Sequence, residues 1–334
     1  MTHNTLRFAA SRRPVLRLMA AVILAGASIG AQAQSAYPTK TVTVIVPFTP
    51  AGATDVVARL LTDRLKKDGG WNMVVDNRPG AGGNLGLHLV SRAAPDGYTL
   101  GLGQTANIAI NPSLYRKMPY DALKDLVPVA LVAEQPLVLA VRADSPYRTV
   151  ADLVAAAKAK PGKMAMASAG AGTVGHLAGE LFSRRAGITM LHVPYKGAAQ
   201  GLTDLVGGQT DYMFPTPQAA LTLVKGGKIR VLAVTSAKRL SLFPGIPTVA
   251  EAGYPGFEAV DWKVLVAPAG TPAAVIKRVH EATEKALKHP ELVAKLLAEG
   301  SLPMTGTPEQ ATQLFRKEQA RWGKVIREGK IKPN

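Results

Sequence analysis

The sequence predicts an α/β chain of two lobes, the first of them discontinuous, joined by two crossing segments. Strand-like runs alternate with amphipathic helical runs, the pattern of parallel sheets with helices on both faces. The alternation restarts near Pro136. Beyond Trp262, three helical runs follow one another with little strand between them.

The elements follow in order. Lys40–Phe48 is β-branched and nearly unbroken in Val and Ile, as buried parallel strands are. After a Pro/Gly loop, Asp55–Lys67 places Val56, Leu60, Leu61 and Leu65 on one helical face. MVVDN reads as a second strand, Gly80-Ala81-Gly82-Gly83-Asn84 as a loop opening a helix, and TLGLGQ as a third strand. After the restart come the strand LVLAVR, the helix Thr149–Lys160, the strand MAMASA, the loop Gly170-Ala171-Gly172 and the helix Thr173–Arg185. ITMLHV, the helix Ala198–Val206, DYMF, a helix after Pro217 and IRVLAVT complete that half, and WKVLVAP opens the final segment.

Pro272–Lys288, Glu291–Glu299 and Pro308–Glu328 are the three closing helices. Without a sheet of their own they cannot bury their apolar faces, and no further sheet-forming strands remain. They must pack back on the first lobe. The chain then crosses between lobes near Glu134–Val141 and near Glu258–Val266, giving a first lobe of 34–136 with 262–334 and a second of 137–261. No solenoid-type repeat is present.

Residues 1–33 read as a cleavable export signal. Arg7, Arg12, Arg13 and Arg17 precede the uncharged run LMAAVILAGASIGAQA, and no acidic residue comes before it. Its roughly dozen apolar residues fall short of the roughly 20 that span a bilayer. Ala31-Gln32-Ala33 supplies the small-x-small pattern for cleavage before Gln34. Ser11-Arg12-Arg13-Pro14-Val15 also resembles a twin-arginine signal, with Val15 where Phe is usual, so both the general secretory and twin-arginine routes are open. Either delivers the protein outside the cytoplasm.

The remaining 301 of 334 residues are enough for about two domains, burying roughly 75% of their unfolded surface. Cys is absent, which excludes disulfides, thiol nucleophiles and cysteine metal sites. The net charge of +17 becomes +13 once the leader's four arginines are removed. Its Lys and Arg are scattered, and with 5% aromatics no basic run carries the interleaved stacking residues of a single-strand binder. Nucleic acid is not expected as a partner; the charge serves solubility and mild steering of anions.

Two segments share one layout: VIVPFTPAGATDVVARLL and MAMASAGAGTVGHLAGELF, each a strand, a small-residue loop and a helix start. Ligands of open α/β sheets gather at the carboxyl ends of strands beside helix N-termini. There unpaired amides and the helix dipole hold carboxylate or phosphate without Lys or Arg. If each lobe contributes one such end, the pair clamps an anion. The same layout is also that of an ordinary tight βα turn.

Other chemistries fit less well. Gly170-Ala171-Gly172-Thr173-Val174-Gly175 matches the dinucleotide fingerprint, but the next strand ends His192-Val193-Pro194-Tyr195-Lys196, without the acid that holds a ribose. Ser168 and His176 could form a nucleophile and base, yet no GxSxG elbow surrounds the serine. The six His show no ligand spacing and no Walker loop exists, so no metal or cofactor is expected. Asp55 favours its helix dipole, and beside an anion pocket it would orient bridging waters. Trp262 reads as core.

At these motifs the chain resembles the Bug family, extracytoplasmic receptors of tripartite tricarboxylate transporters. The resemblance runs through YPTKTVTVIVPFTPAGATDVVARLL, VVDNRPGAGGNLG, APDGYTL, ASAGAGTVGHLAGELF, HVPYKGAAQGLTDLVGGQTDYMF, RVLAVTSAKR, PTVAEAGYPGFE and VAPAGTP to Ala320-Arg321-Trp322. It implies a two-lobed type II periplasmic-binding-protein-like fold with two crossovers, in a monomer that catalyses nothing. It implies a periplasmic location and a partnership with membrane permease subunits. Family ligands are mono-, di- and tricarboxylates, including amino acids, pyroglutamate and aromatic acids, held by backbone and small polar groups, often through waters. On that resemblance Phe48, Thr49, Gly52, Ala53, Thr54 and Asp55 form the first-lobe loop, with Thr105 and Asn107 beside it. Ser168, Gly170, Gly172, Thr173 and His176 form the opposing loop, and Tyr195 and Thr216 line the distal pocket.

Two departures stand out. Ala51 replaces the earlier of the family's paired glycines; a positive φ there would cost about 1 kcal/mol or more, so a slightly different loop path is expected. Pro215 stands where many members carry Asp, which argues against selection for a ligand amino group. An alternative role with the same site is a sensing partner that presents bound ligand to a membrane kinase of a two-component system. A secreted hydrolase using Ser168 and His176 is the third reading.

Overall fold

The computed structural model describes residues 1–3 and 37–332. The leader expected over 1–33 lies, beyond its third residue, outside the described residues. Met1–Thr39 forms a contact unit separate from Lys40–Asn334, and the architecture that follows is that of the latter.

Two sheets organise it. Strands β1 (Val42–Val46), β2 (Met73–Asn77), β3 (Thr99–Gln104), β4 (Leu126–Pro136), β10 (Val260–Pro268) and β11 (Leu302–Pro303) form the first, in the order β11-β4-β10-β3-β1-β2. Strands β5 (Val138–Arg142), β6 (Ala165–Ser168), β7 (Leu191–Pro194), β8 (Tyr212–Met213) and β9 (Ile229–Val234) form the second, in the order β7-β6-β8-β5-β9. Only Leu137 separates β4 from β5, and the return runs from β9 to β10. The result is a two-lobed α/β fold.

The sheets are mixed, which corrects the all-parallel expectation. β1 pairs parallel with β2 and β3, and β6 with β7 and β8. Apart from the short edge strand β11, antiparallel to β4, the antiparallel intruders are the strands that have just crossed: β10 lies antiparallel between β3 and β4, and β5 between β8 and β9. The parallel strands point their carboxyl ends at the other lobe. A strand arriving from that lobe must run away from it, hence against its neighbours.

β4 and β11 were also not anticipated. Pro128 interrupts the run LVPVALVAEQP as a strand signal, since proline cannot donate to a ladder. The sheet absorbs it at a register irregularity, where Val266 pairs with Pro128 and Leu265 with Ala130.

Helix α1 (Ala53–Gly69) buries Val57, Ala58, Leu61 and Leu65, so the stripe is rotated from the expected one and Val56 and Leu60 flank it. Next come α2 (Asn84–Ser91) and a continuous helical stretch, a π-helical turn over Ala106–Ile110 running into α3 (Asn111–Leu114). The second lobe carries α4 (Val150–Ala159), α5 (Val174–Ala186), α6 (Ala198–Val206) and α7 (Pro217–Lys225). Thr149, Thr173 and Thr216 start three of them as side-chain N-caps, each accepting an amide of the first turn.

The closing helices α8 (Ala273–Leu287), α9 (Pro290–Ala298) and α10 (Pro308–Gly329) bring no further sheet. α8 and α10 pack on β4, and α9 packs on α1 and β11. Trp262 of β10 stacks on Phe315 of α10 at 5.5 Å between ring centroids, deep in the core.

Candidate functional site

The first-lobe loop runs from the end of β1 into α1. Gly52 is the N-cap residue of α1, and no side chain caps it. The outward-facing amides of that first turn and the helix dipole are therefore available to an anion. Ala51 does adopt a left-handed conformation, φ +61°, so the loop keeps the path a glycine would follow instead of the altered path expected. Its amide donates to Asp55 Oδ2 at 2.9 Å. The same carboxylate takes Arg59 Nε at 2.9 Å and Asn77 Nδ2 at 2.9 Å, while Asn77 Nδ2 also donates to the Phe48 carbonyl. Burial pushes the Asp55 carboxyl up, but the hydrogen bonds from Arg59, Asn77 and Ala51 outweigh it and hold it below the usual carboxylate range. Asp55 is thus the staple of this loop.

At the end of β3, Gln104 Oε1 accepts the Thr54 hydroxyl, and Gln104 N donates to Asn107 Oδ1 at 3.0 Å. Thr105 is fully buried; its hydroxyl donates to Val260 O at 3.3 Å and accepts Trp262 N at 3.0 Å. Thr105 therefore positions the returning strand. Asn107, also fully buried, sits between Phe48 and the Gly80–Gly83 turn: a Cβ on Gly83 would lie 2.6 Å from Asn107 Nδ2 and 2.9 Å from Phe48 Cζ. Only glycine fits there.

The second-lobe loop is tied largely to itself. Gly170 N donates to Ser168 Oγ at 3.2 Å, Gly172 N to His176 Nδ1 at 3.1 Å, and His176 N to Thr173 Oγ1 at 3.3 Å. Thr173 N and Thr173 Oγ1 both donate to Gly170 O. This loop is internally capped where the first is open. His176 is buried and stacks on His192, ring centroids 3.8 Å apart, with Glu180 Oε1 3.7 Å from its Nε2. Burial first, then the neighbouring His176, pushes His192 down to about 4. Ser168 Oγ lies 2.7 Å from His192 Nε2, so the serine's imidazole partner is His192 and not the His176 suggested by sequence.

The lobes meet at two places along these loops. Gln218 Nε2, in the first turn of α7, donates to Ala51 O at 3.5 Å. Gly172 lies against α3, where a Cβ would stand 2.6 Å from Leu114 Cδ2 and 3.3 Å from Asn111 Oδ1. Thr216 caps α7 beside Gln218. Tyr195 N is held by Ser168 O at 3.0 Å, while its hydroxyl turns to Asp204 Oδ2 at 2.6 Å and its ring packs on Gly201.

Phe48 through Asp55, with Asn107, thus gather on one lobe; Ser168 through His176, with Tyr195, gather on the other; and Thr216 neighbours the Gln218–Ala51 contact. Sequence reasoning passed over Asn77, Gln104, Asn111, His192 and Gln218. The consecutive glycines 82 and 83 were a signal for Asn107 and Asn111, because such close backbone approach needs something packed against it. Among the described residues, no group of three His, Cys, Asp or Glu is placed to hold a metal, and no helix is long and apolar enough to cross a membrane.

A family model described as tripartite tricarboxylate transporter family receptor matches residues 57–331. Protein BugT of Bordetella pertussis is 38% identical over 93% of this chain and 97% of its own length. Rpa4515 of R. palustris, solved with adipate, superposes with a TM-score of 0.84 at 37% identity, covering 90% of this chain and 100% of that one. MatC of Rhodopseudomonas palustris, solved with bound malate, gives 0.78 at 33% identity over 87% and 100%.

Proposed function

Because the chain belongs to the tripartite tricarboxylate transporter receptor family, we propose that it captures a small organic acid outside the cytoplasm, between its two lobes, and delivers it to the permease subunits of such a transporter. The observation that carries this reading is the uncapped start of α1 at Gly52, opposed by Gln218 from the other lobe. An open helix end binds a carboxylate through backbone amides alone. The adipate and malate held by the two similar receptors make the same chemistry the natural one here.

In this reading Phe48, Thr49, Gly52, Ala53, Thr54 and Asp55 present the carboxylate-binding turn, and Gly170, Gly172 and Thr173 close on it. Ser168, His176, Tyr195 and Thr216 shape the far side, and Thr105 and Asn107 support the near side. The lobes are 34–136 with 262–334, and 137–261, closing as a monomer about the two crossings. Residues 1–33 direct export to the periplasm and are removed. Catalysis is no part of this reading, which is that of a receptor family.

A thermal-shift panel of several dozen carboxylates on the purified protein tests the proposal. A cognate acid at 100 times its Kd adds about 2.7 kcal/mol of stability. Silence across the whole panel overturns carboxylate capture. A pull-down from membranes tests delivery: permease subunits are the expected catch, and a sensor kinase in their place overturns transport in favour of sensing.

A further inference from the structure

The end of the second sheet that faces away from the first lobe carries two lysine-bearing turns. Lys158, Lys160 and Lys163 surround the end of α4, where Lys163 N donates to Lys160 O at 3.2 Å just before β6. Lys225 and Lys228 flank the Gly226-Gly227 turn before β9, where Lys228 N donates to Leu223 O at 2.9 Å. Register puts both turns at the same end. Met166 of β6 and Val141 of β5 both pair with Tyr212 of β8, and Arg142 pairs with Ile229 of β9. The starts of β6, β8 and β9 therefore lie together with the finish of β5. The order β6-β8-β5-β9 sets the two turns roughly 14 Å apart, three strand spacings. Arg148 joins them from the loop after β5, a loop fixed by Arg230 Nη1 donating to Tyr147 O at 3.2 Å.

These six side chains are exposed, and among the described residues none of them forms an ion pair. The nearby carboxylates are engaged elsewhere. Asp144 pairs with Arg142, Asp152 accepts the amides of Arg148 and Thr149, and Asp211 accepts the amide of Ala165. The far end of the first sheet is different, because its lysines are matched: Lys40 with Asp96 at 3.4 Å, Lys66 with Asp63 at 3.8 Å, Lys124 with Asp121 at 3.4 Å. Like charges gathered without counter-charges repel one another, and the fold gains nothing from placing them so.

We propose that this end of the second lobe docks on a bilayer surface carrying anionic phospholipid headgroups. A broad sheet of negative charge meets both turns at once, whereas a single small anion reaches only one of them. The composition of the face favours lipid over an acidic protein partner. Protein interfaces are enriched in aromatic residues, Met and Arg and depleted in Lys. Here five of the six cations are lysines. Of the large apolar side chains exposed among the described residues, only Leu191, at the start of β7, lies at this end. Flexible ammonium groups without an apolar centre suit diffuse attraction to headgroups, where each contributes about five-fold to partition. Docking of this kind concentrates the protein at a membrane and leaves the cleft between the lobes uncovered.

The test is co-sedimentation of the protein, purified in its exported form, with vesicles of phosphatidylglycerol mixed into phosphatidylcholine and with vesicles of phosphatidylcholine alone. The expected result is partition at least about ten-fold stronger onto the acidic vesicles, most of it lost when the ionic strength is raised to about 1 M. The triple variant Lys158→Gln, Lys160→Gln, Lys163→Gln loses at least about ten-fold, and Lys225→Gln with Lys228→Gln at least about five-fold. Lys277→Gln with Lys285→Gln, which removes the same charge from α8 of the first lobe, changes partition by less than about two-fold. Equal partition of the wild-type protein onto both vesicles overturns the proposal. So does a loss in the α8 variant as large as in the Lys225 and Lys228 pair, since total charge and not this face is then responsible. Retention on native membranes with none on acidic vesicles overturns lipid docking in favour of an acidic protein surface.

Discussion

The Thr235 hydroxyl lies 2.7 Å from the Leu137 amide nitrogen, which donates to it. The same oxygen is 2.5 Å from the Ala259 carbonyl, its acceptor, so one side chain ties the outgoing crossing to the returning one. Thr235 N also donates to Leu137 O, and Thr235 O accepts Ala259 N, each at 2.9 Å. Thr235 is 0% exposed. Both crossing segments are therefore pinned at one point.

Thr235→Val keeps the volume and removes the hydroxyl, leaving the Leu137 amide without its buried acceptor. The expected loss is about 1–3 kcal/mol in urea unfolding. Thr235→Ser retains the oxygen and recovers most of that loss. Equal stability of the valine and serine variants would show that the hydroxyl contributes nothing to the crossing.

Ala51 makes a second case, because its left-handed φ of +61° is held by a hydrogen bond from its amide to the Asp55 carboxylate and one from Gln218 to its carbonyl. The strain in a non-glycine residue there is about 1–2 kcal/mol. Ala51→Gly removes it but adds freedom to the unfolded chain, so its stability changes by less than about 1 kcal/mol. A β-branched side chain fits this region worst, and Ala51→Val is expected to lose at least about 1 kcal/mol. Denaturation of the three proteins side by side decides it; a valine variant as stable as wild type means the turn has relaxed to negative φ.

These two sites also mark how far a sequence can be read. The helices near Thr149 and Thr173 and strands such as Val42–Val46 were legible because their signals are local: a helical apolar pattern, a β-branched run. β4 was hidden by Pro128, whose place in the ladder depends on an irregularity in its pairing with β10. The reversal of β5 and β10 follows from which lobe each strand comes from, which no local pattern encodes. In the candidate cleft, the small-residue loops were visible as motifs. Their partners were not: Thr54 meets Gln104 across 50 positions, and Ser168 meets His192 across 24. Ala51 was visible as a departure, but its compensation by Asp55 needed the geometry of the turn.

His192 gives the second-lobe loop a pH dependence. Burial, and then His176, push it down from 6.5 to about 4. A depressed histidine is neutral in the folded protein at pH values where the unfolded chain is already protonated. Stability is therefore unaffected above about pH 6.5 and falls as the pH drops from there toward 4. The full shift corresponds to about 3 kcal/mol, and partial exposure of the ring lowers the expectation to about 2 kcal/mol. His192→Gln keeps a hydrogen-bonding partner for Ser168 and removes the titration. Urea unfolding at pH 7.5, 6 and 5 is expected to show a steeper acid loss for wild type than for the variant; parallel profiles would mean that His192 does not titrate in this window.

The returning strand carries a buried ion pair whose energetics can be separated from its geometry. Lys263 Nζ, on a side chain that is 0% exposed, lies 3.1 Å from Asp261 Oδ2 and 3.4 Å from Gln135 Oε1. Lys263 faces Gln104 in the ladder, so this charge pair sits beneath the Thr54 end of the first-lobe loop. Removing one partner strands the other charge in the interior, which costs about 3–5 kcal/mol. Lys263→Met and Asp261→Leu are each expected to lose that much. The double variant replaces a desolvated pair by apolar groups, and Gln135 keeps its other bond to Glu299 O. It is expected to recover most of the loss, with a coupling of at least about 2 kcal/mol in the double-mutant cycle. If the two single losses simply add, the ammonium and the carboxylate are not energetic partners, and the strand is held in the sheet by Thr105 and its ladder alone.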